Sequence, residues 1–197
     1  MTAIEKKEYI IDNDGMSYLE LESAFQEILI DENNSESQVI IEGIESFDLS
    51  PDEALHVLAY TGWSAKWINS NIINGKYLRN ISCLLFIENL DKALVKIQTV
   101  NNRIVYHMTS HMIDNFSVGD LLKIPFYLST AKEDFENSNI VWVISTLDSN
   151  SRGRDISTIS NNKYEKEVLF LRNSKFKLKN IRKEGDKTLM YLDEFSD

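Results

Sequence analysis

Apolar and polar positions divide the chain into two textures. In the first half the apolar residues recur at helical spacing. Leu21, Phe25, Ile28 and Leu29 share one helix face, and Ser17-Tyr-Leu-Glu20 ahead of them has the capping-box pattern in which serine and glutamate satisfy each other's amides. Asp31 to Gln38 is polar and reads as an exposed loop, followed by a short strand candidate at Val39-Ile-Ile41. Ser50-Pro-Asp-Glu53 is a stronger helix start, with Ser50 as cap, Pro51 at the first helical position and Glu53 closing the box. Ala54, Leu55, Leu58 and Ala59 form its buried stripe, and Gly62 is expected to end it. A second helix is predicted from about Ser64 to Asn74, with Gly75 after it, and further helical spacing runs from Leu84 to Ile97.

The second half reads as strands. Ile104–Met108, Ile124–Leu128, Ile140–Ile144, Glu167–Leu171, Lys175–Leu178 and Thr188–Leu192 are short and rich in β-branched and aromatic residues. Asn, Ser, Asp or Gly separates them. Strands do not alternate with helices, so a parallel nucleotide-binding sheet is not expected, and helices followed by strands suggest an α+β class. There is no internal repeat.

Charge and composition narrow the chemistry. The 21 basic and 31 acidic residues give a net charge of −10. That balance argues against nonspecific binding to nucleic-acid phosphates or to an anionic membrane surface. One cysteine, Cys83, allows neither an internal disulfide nor a cysteine-based zinc site, and its apolar surroundings suggest a core position. The three histidines, His56, His107 and His111, suggest no metal site. Trp63 and Trp67 fall on one helix face, where packing is the expected role. The longest strongly apolar runs, at residues 83–87 and 140–144, are far shorter than the roughly 20 residues of a spanning helix. The N-terminus shows no apolar signal region, so a soluble protein made in a cytoplasm is expected, with delivery to another cell by a route without a signal peptide left open.

Four segments in order carry a family resemblance. Tyr60-Thr-Gly-Trp-Ser-Ala-Lys-Trp-Ile-Asn69 resembles a signature of bacterial toxin mono-ADP-ribosyltransferases. Leu90-Asp-Lys-Ala-Leu94 and Ile104-Val-Tyr106 resemble the entry into that family's first core strand. Tyr127-Leu-Ser-Thr-Ala131 resembles its serine-threonine-serine strand. Gly153-Arg-Asp-Ile-Ser157, Ser160 and Glu165-Lys-Glu-Val-Leu-Phe170 resemble its loop closing on a Glu-x-Glu motif. The resemblance spans about residues 50–178. It implies an ADP-ribosyltransferase-like fold with N-terminal helices packed on a two-sheet β core. Residues 1–49 would be a helical extension. Residues 50–197 would be the ADP-ribosyltransferase-like domain, helical over about 50–98 and β over about 99–197.

The same resemblance implies NAD+ as substrate, no metal, and transfer of ADP-ribose to a target protein by a toxin or effector, with arginine as the acceptor that Glu-x-Glu favours. It implies Glu167 as the carboxylate against the ribose, where positive charge develops as the nicotinamide bond breaks. Glu165 would serve the acceptor, and strand spacing would place both glutamates on one face. The residues alone also allow the exposed face of an edge strand. Ser129 and Thr130 would support the NAD+ pocket, Ser129 or its neighbour bonding the catalytic glutamate. Ala131 lacks the hydroxyl of the family's third position.

Other positions depart from the pattern. His107 stands where the family's arginine is expected, and resembles instead the histidine of the diphtheria-toxin and poly-ADP-ribose polymerase branch, with Met108 where that branch has glycine. Arg103 is a candidate for the missing cation. Arg154, beside Arg152, is a candidate for the NAD+ pyrophosphate or a solvated loop residue. The alternatives to transfer are NAD+ glycohydrolysis and an inactive binding module.

Overall fold

The computed structural model describes residues 35–110, 116–134, 138–160 and 163–196, together with 19, 20, 22, 23 and 26. The predicted helix over residues 17–29 and His111 therefore lie largely or wholly outside the described residues. The chain divides into two compact units, residues 1–97 with 158–163, and residues 98–157 with 164–197.

The first unit is helical. Its described elements are α1 (Ser35–Ser46), α2 (Pro51–Ala59), a π-helical turn (Tyr60–Ser64), α3 (Ala65–Ile73), a 3-10 turn (Lys76–Arg79) and α4 (Ile81–Lys96). Two sequence expectations fail in α1. Val39–Ile41 is helical, not a strand, and the helix already covers Ser35–Gln38, read above as loop. Ile40 and Gly43 are buried at i and i+3, so the buried side has helical and not alternating period. Gly43 is required by closeness: a Cβ there would lie 2.6 Å from Ile159 and 2.9 Å from Thr158.

The start of α2 follows its sequence signal. The Ser50 amide donates to Glu53 Oε2 at 2.7 Å, and the Glu53 amide donates to Ser50 Oγ at 3.3 Å. Lys96 Nζ also reaches Glu53 Oε2, at 2.8 Å. Gly62 does not end the helix. It keeps a negative φ inside the π-helical turn, and the chain passes into α3 without a break. The Tyr60 hydroxyl accepts from Asn69 Nδ2 at 3.0 Å, tying the turn to α3. Gly75, at φ +64, does terminate α3, since a left-handed residue there falls to glycine.

His56 of α2 is fully buried, edge-on to Phe86, with Nδ1 donating to the Asp52 carbonyl. Burial pushes its pKa below the ordinary histidine value, and the Asp52 carbonyl only partly opposes that. The unfolded chain therefore takes up a proton near pH 6.5 that the folded chain refuses. Stability falls as pH drops below about 6.5, by up to about 1.4 kcal/mol per pH unit from this group, and levels off once the folded imidazole titrates. Urea unfolding between pH 7.5 and 5.5 is expected to show this slope, to which the buried His107 adds in the same direction, and His56→Gln is expected to reduce it by the His56 share. An unchanged slope in the variant would remove His56 as its source.

The second unit carries β1 (Ile104–Thr109), β2 (Leu121–Ile124), β3 (Leu128–Ala131), β4 (Ile140–Ser145), β5 (Gly153–Asp155), β6 (Glu167–Phe170), β7 (Ser174–Glu184) and β8 (Lys187–Phe195). They lie in the order β2-β7-β8-β4-β1-β3-β6-β5. β4 and β8 run parallel, and the other paired strands antiparallel. The expected two sheets are two segments of this one order, of five and three strands. They join between β1 and β3 through a single registered pair, Tyr106 with Ala131. Inward residues of both segments share one core, including Val105, Trp142, Ile144, Val168, Phe170, Phe176 and Leu192. Phe170 meets Phe176 edge-on at 5.1 Å.

The expected strand Ile124–Leu128 is two strands. Pro125 has no amide to give a ladder and separates β2 from β3. β5, read above as loop, is a strand paired with β6, and Gly153 lets it approach: a Cβ there would lie 3.2 Å from Val168. The connection leading into β5 is held by Glu194, 4% exposed, whose carboxylate accepts from the Arg152 amide at 2.6 Å and the Leu147 amide at 3.0 Å.

Candidate active site

The site forms where β1 and β3 part. Beyond the Tyr106–Ala131 pair the two strands have no further registered partners, whereas β1 stays fully paired with β4. A cleft of about 280 Å³ opens there, lined by Tyr106, His107, Met108, Ser129, Thr130, Ala131 and Glu165. His107 crosses the gap. Its Nδ1 donates to the Ser129 carbonyl at 2.8 Å, and its ring packs edge-on against Trp142 at 5.0 Å. A carbonyl only accepts, so Nδ1 carries the proton and Nε2 keeps a lone pair. Burial pushes the His107 pKa down, outweighing the bond to Ser129, so the ring is neutral at pH 7.

Glu167 is the first residue of β6 and is 4% exposed. It pairs with Ala131, so Ser129, two residues along β3, is its diagonal neighbour on the same face. Ser129 Oγ donates to Glu167 Oε1 at 2.6 Å, a short bond of the kind expected to a carboxylate. Thr130 points to the opposite face, and its hydroxyl donates to the Val168 carbonyl at 2.7 Å. Of the two hydroxyls, Ser129 therefore touches the glutamate and Thr130 ties β3 to β6. Ala131, directly opposite Glu167, adds no donor.

Glu165 does not share a strand with Glu167. It ends a 3-10 turn (Lys163–Glu165), and Lys166 adopts φ +44 before β6 begins. The alternation argument for a common face therefore fails. Glu165 reaches the cleft because the chain bends at Lys166, and it is exposed where Glu167 is buried. A left-handed lysine is strained by about 1–3 kcal/mol. Its carbonyl accepts from the Lys132 amide at 3.3 Å, and its ammonium pairs with Glu133.

The two arginines lie elsewhere. Arg103 is exposed and lines a second cleft of about 500 Å³ with Gln98, Thr99, Asn101, Lys132 and Asp155. Arg154 is on β5, and its guanidinium donates to the carbonyls of Ser151 at 2.7 Å and Gly153 at 3.3 Å. It lines neither cleft. Sequence reasoning passed over three residues here. Lys132 pairs with Asp155 at 2.6 Å, and burial, which would raise the Asp155 pKa, is outweighed by the Lys132 and Ser157 hydrogen bonds, which hold it low. Tyr164, next to Glu165, is 85% exposed. The position of Lys132, immediately after Ser-Thr-Ala, was the available signal for the first. Among the described residues no group of three or more His, Cys, Asp or Glu is placed to hold a metal ion.

The fold has counterparts in known proteins. The chain is similar to the Clostridium limosum C3 exoenzyme, at 18% identity over 83% of this chain and 96% of that one, with a TM-score of 0.67. It is similar to C3stau2 from S. aureus, solved with NAD, at 15% identity over 82% and 95%, with a TM-score of 0.66. A third is the Vis toxin of Vibrio splendidus in complex with agmatine, at 15% identity over 92% and 87%, with a TM-score of 0.61. No curated protein matches the chain. The ADP-ribosyltransferase exoenzyme profile matches residues 33–195. The chain belongs to that family, and is a toxin-type mono-ADP-ribosyltransferase that uses NAD+ as substrate.

Proposed function

We propose that the smaller cleft takes the nicotinamide–ribose half of NAD+, with Glu167 against the ribose, and that ADP-ribose passes to an arginine of a target protein. The observation that carries this reading is the Ser129–Glu167 bond beside the anchored ring of His107. A carboxylate with one oxygen fixed by a hydroxyl is pre-positioned and needs no reorganisation as positive charge develops on the sugar. The neutral Nε2 of His107 is an acceptor suited to a ribose hydroxyl. A cavity of about 280 Å³ suits half of the dinucleotide.

The donor set fits NAD+ with one difference from the expected arginine pattern. Among the described residues no cation lines the smaller cleft, whereas Arg103 and Lys132 both line the larger one. Ile104 and Tyr106 are two apart on β1, and Ala131 adjoins Lys132, so the two clefts share the β1–β3 seam. The diphosphate belongs on the side of Arg103 and Lys132. Glu165, with the exposed ring of Tyr164, faces the acceptor. A guanidinium suits that carboxylate, and agmatine, bound by the Vis toxin, carries one.

The test is nicotinamide release from NAD+ run beside labelling of protein in a cell lysate with radiolabelled NAD+. Transfer requires release that increases with lysate, together with a labelled protein band whose label is sensitive to reagents that cleave arginine-linked ADP-ribose. Release without labelling would make water the acceptor. Absence of both would overturn the reading. His107→Ala is expected to weaken NAD+ affinity by about 1–3 kcal/mol, the scale of a lost buried partner. Calorimetry measures it, and unchanged affinity would leave His107 a strut between β1 and β3 alone.

A further inference from the structure

From Ala54 to Ile87 the chain carries Lys66, Lys76 and Arg79 and no aspartate or glutamate, although the whole has 31 acidic residues. These three cations are exposed, and none forms an ion pair among the described residues. The same stretch exposes large aliphatic side chains. Ile73, at the end of α3, is 58% exposed; Leu78, in the 3-10 turn, 68%; and Ile81, the first residue of α4, 69%. Single exposed aliphatics are ordinary, but three within nine residues of one helical corner, interleaved in sequence with the exposed Lys76 and Arg79, mark a contact surface.

The corner is held in shape without carboxylates. Gly75 makes the left-handed turn, and Asn74 Nδ2 donates to the Ser70 carbonyl at 2.9 Å. Asn80 caps α4 by accepting from the Cys83 amide at 3.1 Å, a task aspartate performs equally well. The caps are neutral where acids would serve, so the stretch itself carries cations and no carboxylate.

We propose that this corner docks a partner protein whose surface presents apolar side chains rimmed by carboxylates. Charge complementarity carries the choice. An anionic bilayer would meet a molecule of net charge −10. A two-fold pair of this chain through the same corner would set Lys76 and Arg79 against their own copies. A carboxylate-rimmed protein meets neither obstacle.

The test uses two fluorescent helical peptides of equal length, each with a leucine face, one with glutamates and one with lysines on the other face. Anisotropy with the full chain is expected to show the glutamate peptide binding at least about tenfold more tightly than the lysine peptide, with the preference shrinking as salt rises. I73S/L78S/I81S is expected to abolish binding, and K76E/R79E to reverse the preference. Both variants change exposed residues outside the clefts, so nicotinamide release and the melting profile serve as controls for folding. Equal binding of the two peptides, a preference for the lysine peptide, or unaltered binding in either variant overturns the proposal. So does cosedimentation with phosphatidylserine vesicles that is lost in the same variants, which would make the partner a membrane. A dimer by light scattering that I73S/L78S/I81S dissolves would make it a second copy.

Discussion

Glu167→Gln is expected to lower nicotinamide release from NAD+ by about 10²–10³-fold, the effect of removing one positioned electrostatic contact. Glutamine keeps the shape and can still accept the Ser129 hydroxyl, so the strand pairing to β3 survives and the loss reports on charge. Binding of NAD+ should change much less than the rate, because the stabilised charge exists only as the bond breaks. Glu165→Gln is expected to behave differently. Glu165 is exposed at the cleft and set apart from β6 by the turn at Lys166, so its loss should reduce labelling of protein more than release into water. Both variants are measured in both reactions. Equal suppression of hydrolysis by the two would end the division of roles, and unchanged rates in Glu167→Gln would remove it from catalysis.

Glu194→Ala is expected to destabilise the chain by about 2–4 kcal/mol. The carboxylate is buried and satisfies the Leu147 and Arg152 amides, and each amide orphaned in the interior costs about 1–3 kcal/mol. Glu194→Gln retains one acceptor and should lose about half as much. Urea midpoints at pH 7 measure both. An alanine variant within about 0.5 kcal/mol of wild type would mean that water replaces the carboxylate and that the loop needs no clamp.

Local signals were readable wherever chemistry acts over a few residues. The box at Ser50–Glu53, the stop at Gly75 and the β-branched runs of β1, β4 and β6 each act through neighbours in the chain, and each forms as expected. Val39–Ile41 misled because a short β-branched run fits either a strand or a helix, and packing of Ile40 and Gly43 decides it. Gly62 misled because glycine stops a helix only when its φ turns positive. At the site, the approach of Ser129 to Glu167 was foreseeable from the resemblance, but the bend that carries Glu165 was not, since a left-handed lysine has no sequence signature. Arg154 looked available from its type and is occupied by its own loop's carbonyls. Lys132 and Asp155 are distant in sequence and meet only once β5 is laid beside β6.

The single Tyr106–Ala131 pair has a mechanical meaning. Parting β1 from β4 would break a ladder of six registered pairs, whereas parting β1 from β3 breaks one, beside the His107–Ser129 bond and the core that both segments share. The weakest line through the sheet thus runs through the cleft itself. By main-chain pairing alone, separation at this seam costs less than separation of the β1–β4 or β3–β6 ladders on either side. His107 then acts as a latch. Its neutral ring closes the seam through one bond to a carbonyl, of about 0.5–1.5 kcal/mol net. A bond of that size is small beside the six registered pairs that join β1 to β4.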